Sequence, residues 1–138
     1  MMTPKAIVDQ MYAQDTFSQW LGITVESVEQ GYAKISMTVK SDMLNGFGIA
    51  HGGITYSLAD SAFAFASNSQ GRHAVSIETS ISHTKAVNEA DKLTAIAKED
   101  HLANRLGIYT ITVTNQDEEV VALFKGTVFR KDALWSEK

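Results

Sequence analysis

Cysteine is absent from the chain, and its single proline is Pro4. Without cysteine, a disulfide framework and a cysteine-ligated zinc site are both excluded. The four histidines, at positions 51, 73, 83 and 101, do not have the spacing of zinc ligands, so no metal site is predicted. No run of Lys and Arg forms a basic stripe and the net charge is −4, so we expect no nucleic-acid partner.

Long apolar runs are also absent. The most apolar stretch, residues 54–66, is interrupted by Thr55, Ser57, Asp60 and Ser61, which makes it too short and too polar to cross a membrane. The N-terminal segment lacks the basic residues followed by an apolar run that mark a signal peptide. A length of 138 residues suits one domain. We therefore expect a single cytoplasmic domain over residues 1–138 with no membrane association.

Apolar periodicity predicts a helix and a hairpin near the N-terminus. Thr3 and Pro4 suit an N-cap and a first helical position, and apolar residues then recur at helical spacing as far as position 12. Residues 32–39 alternate between apolar and polar side chains, which indicates a half-buried strand. Residues 23–29 are predicted to pair with that strand across the intervening turn.

A glycine-rich loop and an apolar helix come next. Residues 45–53 read NGFGIAHGG, and their four glycines indicate a loop. The following residues, ITYSLADSAFAFASNS, are apolar on nearly every face of a helix, which is typical of a buried helix. Four extended segments rich in Thr, Val and Ile complete the chain, at 73–85, 92–101, 105–115 and 120–130. This order predicts an α+β fold in which one curved antiparallel sheet wraps a single long buried helix, the hotdog arrangement.

Two glycines stand at the start of the predicted buried helix. The first N–H groups of a helix have no internal partner, and the helix dipole makes that end partly positive. Gly52 and Gly53 would let a ligand approach these amides closely, so the segment is equipped to bind a developing oxyanion. The alternative is that the two glycines only permit a tight turn.

Asp60 lies in the middle of the same helix, among Leu58, Ala59, Ala62 and Phe63. A buried carboxylate costs several kcal/mol unless it is paired or used, so Asp60 is a candidate functional residue. The alternative is that Asp60 lies on the one solvent-exposed face of the helix.

His51 and Asn45 flank the glycines on the N-terminal side. A role for His51 in fixing the loop, or in hydrogen bonding a bound carbonyl, is favoured over direct proton transfer, although histidine is the commonest general base. Asn45 precedes a glycine and suits a turn, and its carboxamide could also orient a carboxylate or a water molecule.

The spacing of these groups has a consequence for assembly. Gly52 and Asp60 are eight residues apart, which is roughly 12 Å along a helix that rises 1.5 Å per residue. One carbonyl group cannot contact both residues of one chain. If both act on it, one must come from a second subunit, which predicts a symmetric dimer with two sites at its interface.

The segment NGFGIAHGGITYSLAD, together with LGIYTITVTNQDEEVVALFKGTVF near the C-terminus, resembles the phenylacetate-pathway (PaaI-type) branch of hotdog acyl-CoA thioesterases. The resemblance extends from about residue 17 to residue 130. It implies that Asp60 is the nucleophile, or the general base that activates water, for attack on a thioester carbonyl. It also implies that the Gly52 amide polarises that carbonyl, with His51 and Asn45 supporting the loop and the leaving or attacking groups.

Further roles follow from the same resemblance. Ser76, on the strand after the central helix, would assist from across the dimer, with Thr79 as a weaker candidate. Gly53 would contact the substrate, and the CoA nucleotide would lie near basic residues, for which Lys85, Arg105 and Arg72 are candidates. The family forms dimers of dimers and uses no cofactor, so a homotetramer is expected. The resemblance favours phenylacetyl-CoA and its ring-modified derivatives as substrates. The acyl pocket would be lined by the central helices and by Phe47, Ile49 and Tyr56, which suits an aryl-acetyl or medium-chain acyl group.

One segment departs from the family, and two other functions stay open. Many relatives carry an Arg-Pro turn after the strand that holds Ser76, where this chain reads HTKAV at 83–87. A hotdog hydratase or dehydratase would carry its His and acidic residue in a Pro-rich segment, which this chain lacks. A non-catalytic acyl-CoA-binding protein is the second alternative, because fold alone does not determine function. Release of thiol from an acyl-CoA would separate the thioesterase from both.

Overall fold

The computed structural model describes residues 1–137. It contains three α-helices and six strands within that range. In chain order these are α1 (Pro4–Gln14), α2 (Thr16–Leu21), β1 (Thr24–Glu29), β2 (Tyr32–Thr38), α3 (Gly52–Asn68), β3 (Arg72–His83), β4 (Lys92–Leu102), β5 (Leu106–Thr114) and β6 (Val120–Leu134). A single 3-10 turn, Ser41–Met43, separates β2 from the glycine-rich loop.

The strands form one antiparallel sheet in the order β1-β2-β4-β5-β6-β3. The predicted hairpin and all four later strands are therefore confirmed. β6 runs to Leu134, four residues beyond its predicted end, because its last residues pair with the start of β3. Strand β3 lies at one edge of the sheet, so one side of its backbone has no neighbouring strand in the single chain.

Helix α3 lies against the concave face of the sheet, and this confirms the predicted α+β hotdog fold. Leu58, Ala62 and Phe65 are fully buried between helix and sheet. The approach is closest at Gly126 on β6, where a Cβ atom would lie 2.6 Å from the ring of Phe63. Only glycine fits there, so this residue sets the distance between the helix and the sheet.

The short helix α2 was not predicted from the sequence. Asp15 caps it, since its Oδ1 accepts a hydrogen bond from the Ser18 N–H at 2.9 Å. Gly22 ends it in the left-handed conformation, with φ of 76°. A helix of six residues is too short to establish an apolar period, and only its two end signals could have revealed it.

Helix α3 keeps one stripe that the sheet does not cover. Gly53, Ser57, Asp60 and Ala64 follow one another at helical spacing, and none of them is fully buried. The neighbouring edge strand β3 is also open, with Ile77 exposed by 57% at the bulge between Ser76 and Glu78. These two open features lie side by side and border the residues predicted to carry the chemistry.

Candidate active site

The helix start holds a single unused amide. His51 is the N-cap of α3, and its Nδ1 accepts a hydrogen bond from the Gly53 N–H at 2.8 Å. Gly53, predicted to contact substrate, thus has its amide engaged by His51. The Gly52 N–H has no hydrogen-bond acceptor within residues 1–137. Gly52 is therefore the residue whose amide a ligand can use.

An open cavity of about 410 Å³ adjoins this amide. Its walls come from the glycine-rich loop, the first turn of α3 and the segment that follows β3. The lining residues that bear on chemistry are Asn45, Gly52, Thr55, His83 and Lys85. The cavity thus brings together five residues from three separate parts of the chain.

Asn45 shapes the loop beside the cavity. Its Oδ1 accepts hydrogen bonds from the N–H groups of Phe47 at 2.9 Å and Ile49 at 3.4 Å. The same arrangement recurs at Asn115, whose Oδ1 accepts from Asp117 and Glu119 in the β5–β6 turn. The oxygen of Asn45 is thus committed to the turn, and its Nδ2 amide remains available to a ligand or a water molecule.

Asp60 lies half-buried on the uncovered stripe of α3, two turns after Gly52. Its carboxylate accepts no hydrogen bond from residues 1–137. Burial raises the pKa of this carboxyl, and the nearby Asp15 carboxylate raises it further. A carboxylate with a raised pKa is a better proton acceptor at neutral pH than an ordinary aspartate.

A buried hydrogen-bonded chain fixes the turn of α3 that carries Asp60. The Ser61 hydroxyl lies 2.8 Å from the Ser18 hydroxyl, which lies 2.6 Å from Oδ2 of Asp15. These hydrogen bonds connect the start of α2 to Ser61, the residue next to Asp60. Asp15 and Ser18 were not identified from the sequence, because their relation to α3 depends on the tertiary fold.

Ser76 and Thr79 both point to the concave face of the sheet. Each pairs across to β6 with a buried residue, Ser76 with Val128 and Thr79 with Gly126. The Thr79 hydroxyl is 2.7 Å from the hydroxyl of Tyr56 on α3, so it already has a partner. Ser76 is exposed in the single chain. Of the two, Ser76 is the hydroxyl that remains exposed.

The predicted basic contacts are far apart. Lys85 lines the cavity and forms an ion pair of 3.0 Å with Glu119. Arg105 pairs with Asp132 at 2.9 Å, near Arg72 at the other end of β3. The 12 residues of β3 separate the two ends by roughly 36 Å at 3.3 Å per residue. Lys85 and Arg105 of one chain therefore cannot hold the same nucleotide.

Within residues 1–137 there is no group of three or more His, Asp or Glu side chains placed to hold a metal ion. None of the helices described for this chain is both long enough and apolar enough to cross a membrane.

Comparison with known proteins shows the family to which the chain belongs. Residues 47–122 match the family model of the thioesterase superfamily. The chain belongs to the thioesterase superfamily. This thioesterase is 42% identical over 120 residues to the acyl-coenzyme A thioesterase PaaI of Escherichia coli, covering 87% of this chain and 86% of that protein.

Two solved structures extend the comparison. The structure of E. coli PaaI, from the phenylacetic acid degradation operon, matches with a TM-score of 0.94 and 38% identity, covering 96% of both chains. The protein smu.793 of Streptococcus mutans, solved bound to acetyl CoA, matches with a TM-score of 0.79 and 29% identity over 82% of this chain and 91% of that one. The predicted thioester hydrolase of the PaaI-type family is thereby confirmed.

Proposed function

We propose that this thioesterase hydrolyses acyl-CoA to a free acid and CoA, with Asp60 and Gly52 acting on the thioester. One observation carries the proposal. Helix α3 holds a half-buried carboxylate that accepts no hydrogen bond from residues 1–137, eight residues after a helix-start amide that donates none within the same range. The acyl-CoA activity of E. coli PaaI and the acetyl CoA held by smu.793 support this substrate class.

The Gly52 amide acts on the carbonyl oxygen. When a nucleophile attacks a thioester, negative charge develops on that oxygen, and a preorganised N–H donor stabilises it more than it stabilises the substrate. The partly positive end of α3 adds to this effect. Removing one such donor from a hydrolase typically lowers kcat by about 100- to 1000-fold.

Asp60 acts on the attacking group. As a general base its carboxylate takes a proton from water while the water oxygen bonds to the carbonyl carbon, and the carbon–sulfur bond then breaks to release the CoA thiolate. As a nucleophile it would bond to the carbonyl carbon itself, the carbon–sulfur bond would break to release the CoA thiolate, and water would then hydrolyse the resulting anhydride. Both routes use the same carboxylate and give the same products.

The proposal includes a homodimer in which Gly52 of one chain meets Asp60 of the partner subunit. The two residues are separated by roughly 12 Å along one helix, so a single chain does not bring them to one carbonyl. The unpaired edge of β3 and the uncovered stripe of α3 offer a continuous surface for a second copy. Two α3 helices packed antiparallel there would form two equivalent sites, with Ser76 at the shared boundary.

A further pairing of dimers into a homotetramer is proposed from the convex face of the sheet. Leu106, Leu123 and Phe129 are exposed there by 42%, 45% and 38%, and Leu106 pairs directly with Phe129. The adjacent exposed pair Leu106 and Phe129, together with Leu123 further along β6, favours an interface. Light scattering is expected to give a dimer or a tetramer. We also propose that the protein is located in the cytoplasm.

For the acyl group we propose an aryl-acetyl or medium-chain substrate, with phenylacetyl-CoA and its hydroxylated derivatives first. The origin of E. coli PaaI in a phenylacetic acid degradation operon supports this choice. Of the three residues predicted to line the pocket, Ile49 lines the cavity beside Gly52. Phe47 is 90% exposed in the single chain, and the Tyr56 hydroxyl is hydrogen-bonded to the Thr79 hydroxyl. Their contribution to the acyl pocket therefore depends on the partner subunit.

A panel of aromatic and aliphatic acyl-CoAs tests the substrate class by thiol release. We expect turnover, with kcat/KM highest for the aryl-acetyl members. Preference for short aliphatic chains would contradict the aryl-acetyl proposal while leaving the thioesterase intact. A change in enoyl-CoA absorbance without free thiol would instead indicate a hydratase, and binding with neither signal would indicate a binding protein.

A further inference from the structure

His83, the last residue of β3, stands beside the Gly52 amide. A Cβ atom placed on Gly52 would lie 3.3 Å from Nε2 of His83. That is tight contact, so the absence of a side chain at position 52 is what allows the imidazole to come this close. Both residues line the same open cavity.

The imidazole of His83 is free to bind a ligand. Strand pairing with the buried Ala122 directs the side chain to the concave face, toward the start of α3. The ring makes no hydrogen bond with residues 1–137, and it is exposed to the cavity. His51 differs in this respect, because its Nδ1 is committed to the Gly53 N–H.

The separation of the two donors suits a single shared oxygen. A backbone nitrogen and the Cβ of the same residue are about 2.5 Å apart by standard covalent geometry, so Nε2 of His83 and the Gly52 nitrogen are at most about 5.8 Å apart. A carbonyl oxygen that accepts hydrogen bonds of about 2.9 Å from two donors about 120° apart joins donors about 5 Å apart, which lies within that limit. One carbonyl oxygen can therefore contact both groups.

We propose that His83 is a second oxyanion donor, whose Nε2–H binds the thioester carbonyl oxygen together with the Gly52 N–H. This inference rests on the proposed thioesterase function and adds a catalytic residue to it. As negative charge develops on the oxygen during attack, the imidazole N–H strengthens its hydrogen bond, so the effect falls on kcat more than on KM.

Two substitutions at His83 separate donor chemistry from packing. His83→Phe keeps an aromatic ring and removes the donor, and we expect kcat to fall about 10- to 100-fold with KM changed less than about threefold. His83→Gln retains an N–H donor on a flexible side chain and should recover kcat to within about fivefold of wild type. His101→Phe, an exposed position on β4, is the matched control and should leave kcat unchanged.

Three results on hydrolysis would overturn the proposal. They are a His83→Phe variant with kcat within twofold of wild type, equal losses in the Phe and Gln variants, and a loss that appears only in KM. Thermal melting of each variant identifies a merely structural effect, because a packing defect would lower the melting temperature of His83→Phe.

A binding measurement keeps the inference separate from the proposed function. The probe is a CoA ketone analogue, in which a methylene replaces the thioester sulfur and the carbonyl is retained. Calorimetry should show weaker binding to His83→Phe than to wild type, whether or not the wild-type protein turns over any acyl-CoA. Absence of hydrolysis alone would refute the proposed function. Equal binding of the analogue to both proteins, or no binding to either, would refute the role of His83.

Discussion

His51 accepts the Gly53 N–H at 2.8 Å, and this bond leaves the Gly52 N–H as the unused donor at the start of α3. A side-chain N-cap normally satisfies one of the first amides of a helix. Here the cap takes the second amide, and the first faces the cavity. The helix start is thus both stabilised and open to a ligand.

Replacing His51 should separate these two effects. His51→Ala removes the cap and should lower the free energy of unfolding by about 1 kcal/mol, whereas His51→Asn keeps a capping oxygen and should lose less. Urea denaturation of the two variants measures the difference. A His51→Ala variant as stable as wild type would show that the His51–Gly53 bond contributes nothing to the helix.

The Gly52 amide can be removed without breaking the helix. Position 52 is the first residue of α3, where proline is well tolerated, and His51 before it is extended with ψ of 136°. Gly52→Pro should lower kcat about 100-fold or more, because it deletes the N–H donor. Gly52→Ala is the matched control, since its Cβ crowds His83 in the same way while the N–H remains. Equal activity of the two variants would contradict the role of the amide.

The raised pKa of Asp60 makes a prediction about stability. A carboxyl whose pKa is higher in the folded than in the unfolded protein favours the folded state at low pH, and this contribution is lost as pH rises through the folded pKa. Asp60→Asn should therefore melt at a higher temperature than wild type at pH 7 to 8. The difference should shrink as pH falls toward the ordinary aspartate pKa of about 3.9.

Melting curves across this pH range test the prediction. Asp117→Asn is a suitable control, because Asp117 is exposed in the β5–β6 turn. A difference in melting temperature between Asp60→Asn and wild type that stayed constant with pH would mean that ionisation of Asp60 does not cause the difference.

Sharing of the site between subunits can be tested by complementation. Asp60→Asn and Gly52→Pro should each be nearly inactive alone. Co-expressed in equal amounts, they should recover about a quarter of wild-type activity, because half of randomly formed dimers are mixed and each mixed dimer has one intact site. A mixture that stays inactive would place Gly52 and Asp60 of the same chain at one site.

The sequence revealed those parts of the fold in which apolar residues recur at a regular spacing. The alternation in β2 and the apolar surface of α3 each extend over several repeats, so they predicted their elements and the overall architecture. The glycines at the start of α3 and the lone Asp60 pointed to the candidate site, because both are unusual in a buried helix. The six-residue α2 had no such repeat.

What the sequence left open depends on contacts between distant residues. The approach of His83 to Gly52 requires the register of β3 on β6 and the position of α3 above it. The ion pair of Lys85 with Glu119 likewise joins residues far apart in the chain. The hydrogen bond from Gly53 to His51 is local, but it depends on the orientation of the His51 side chain. Composition and spacing carry no information about such pairs.

Thiol release by Asp60→Asn, measured beside wild type and Asp117→Asn on the best acyl-CoA of the panel, tests the central claim most directly. The variant keeps the shape of the side chain and removes the group that accepts a proton or attacks the carbonyl. We expect kcat to fall by at least about 1000-fold while Asp117→Asn turns over at the wild-type rate. Turnover by Asp60→Asn within tenfold of wild type would contradict the account.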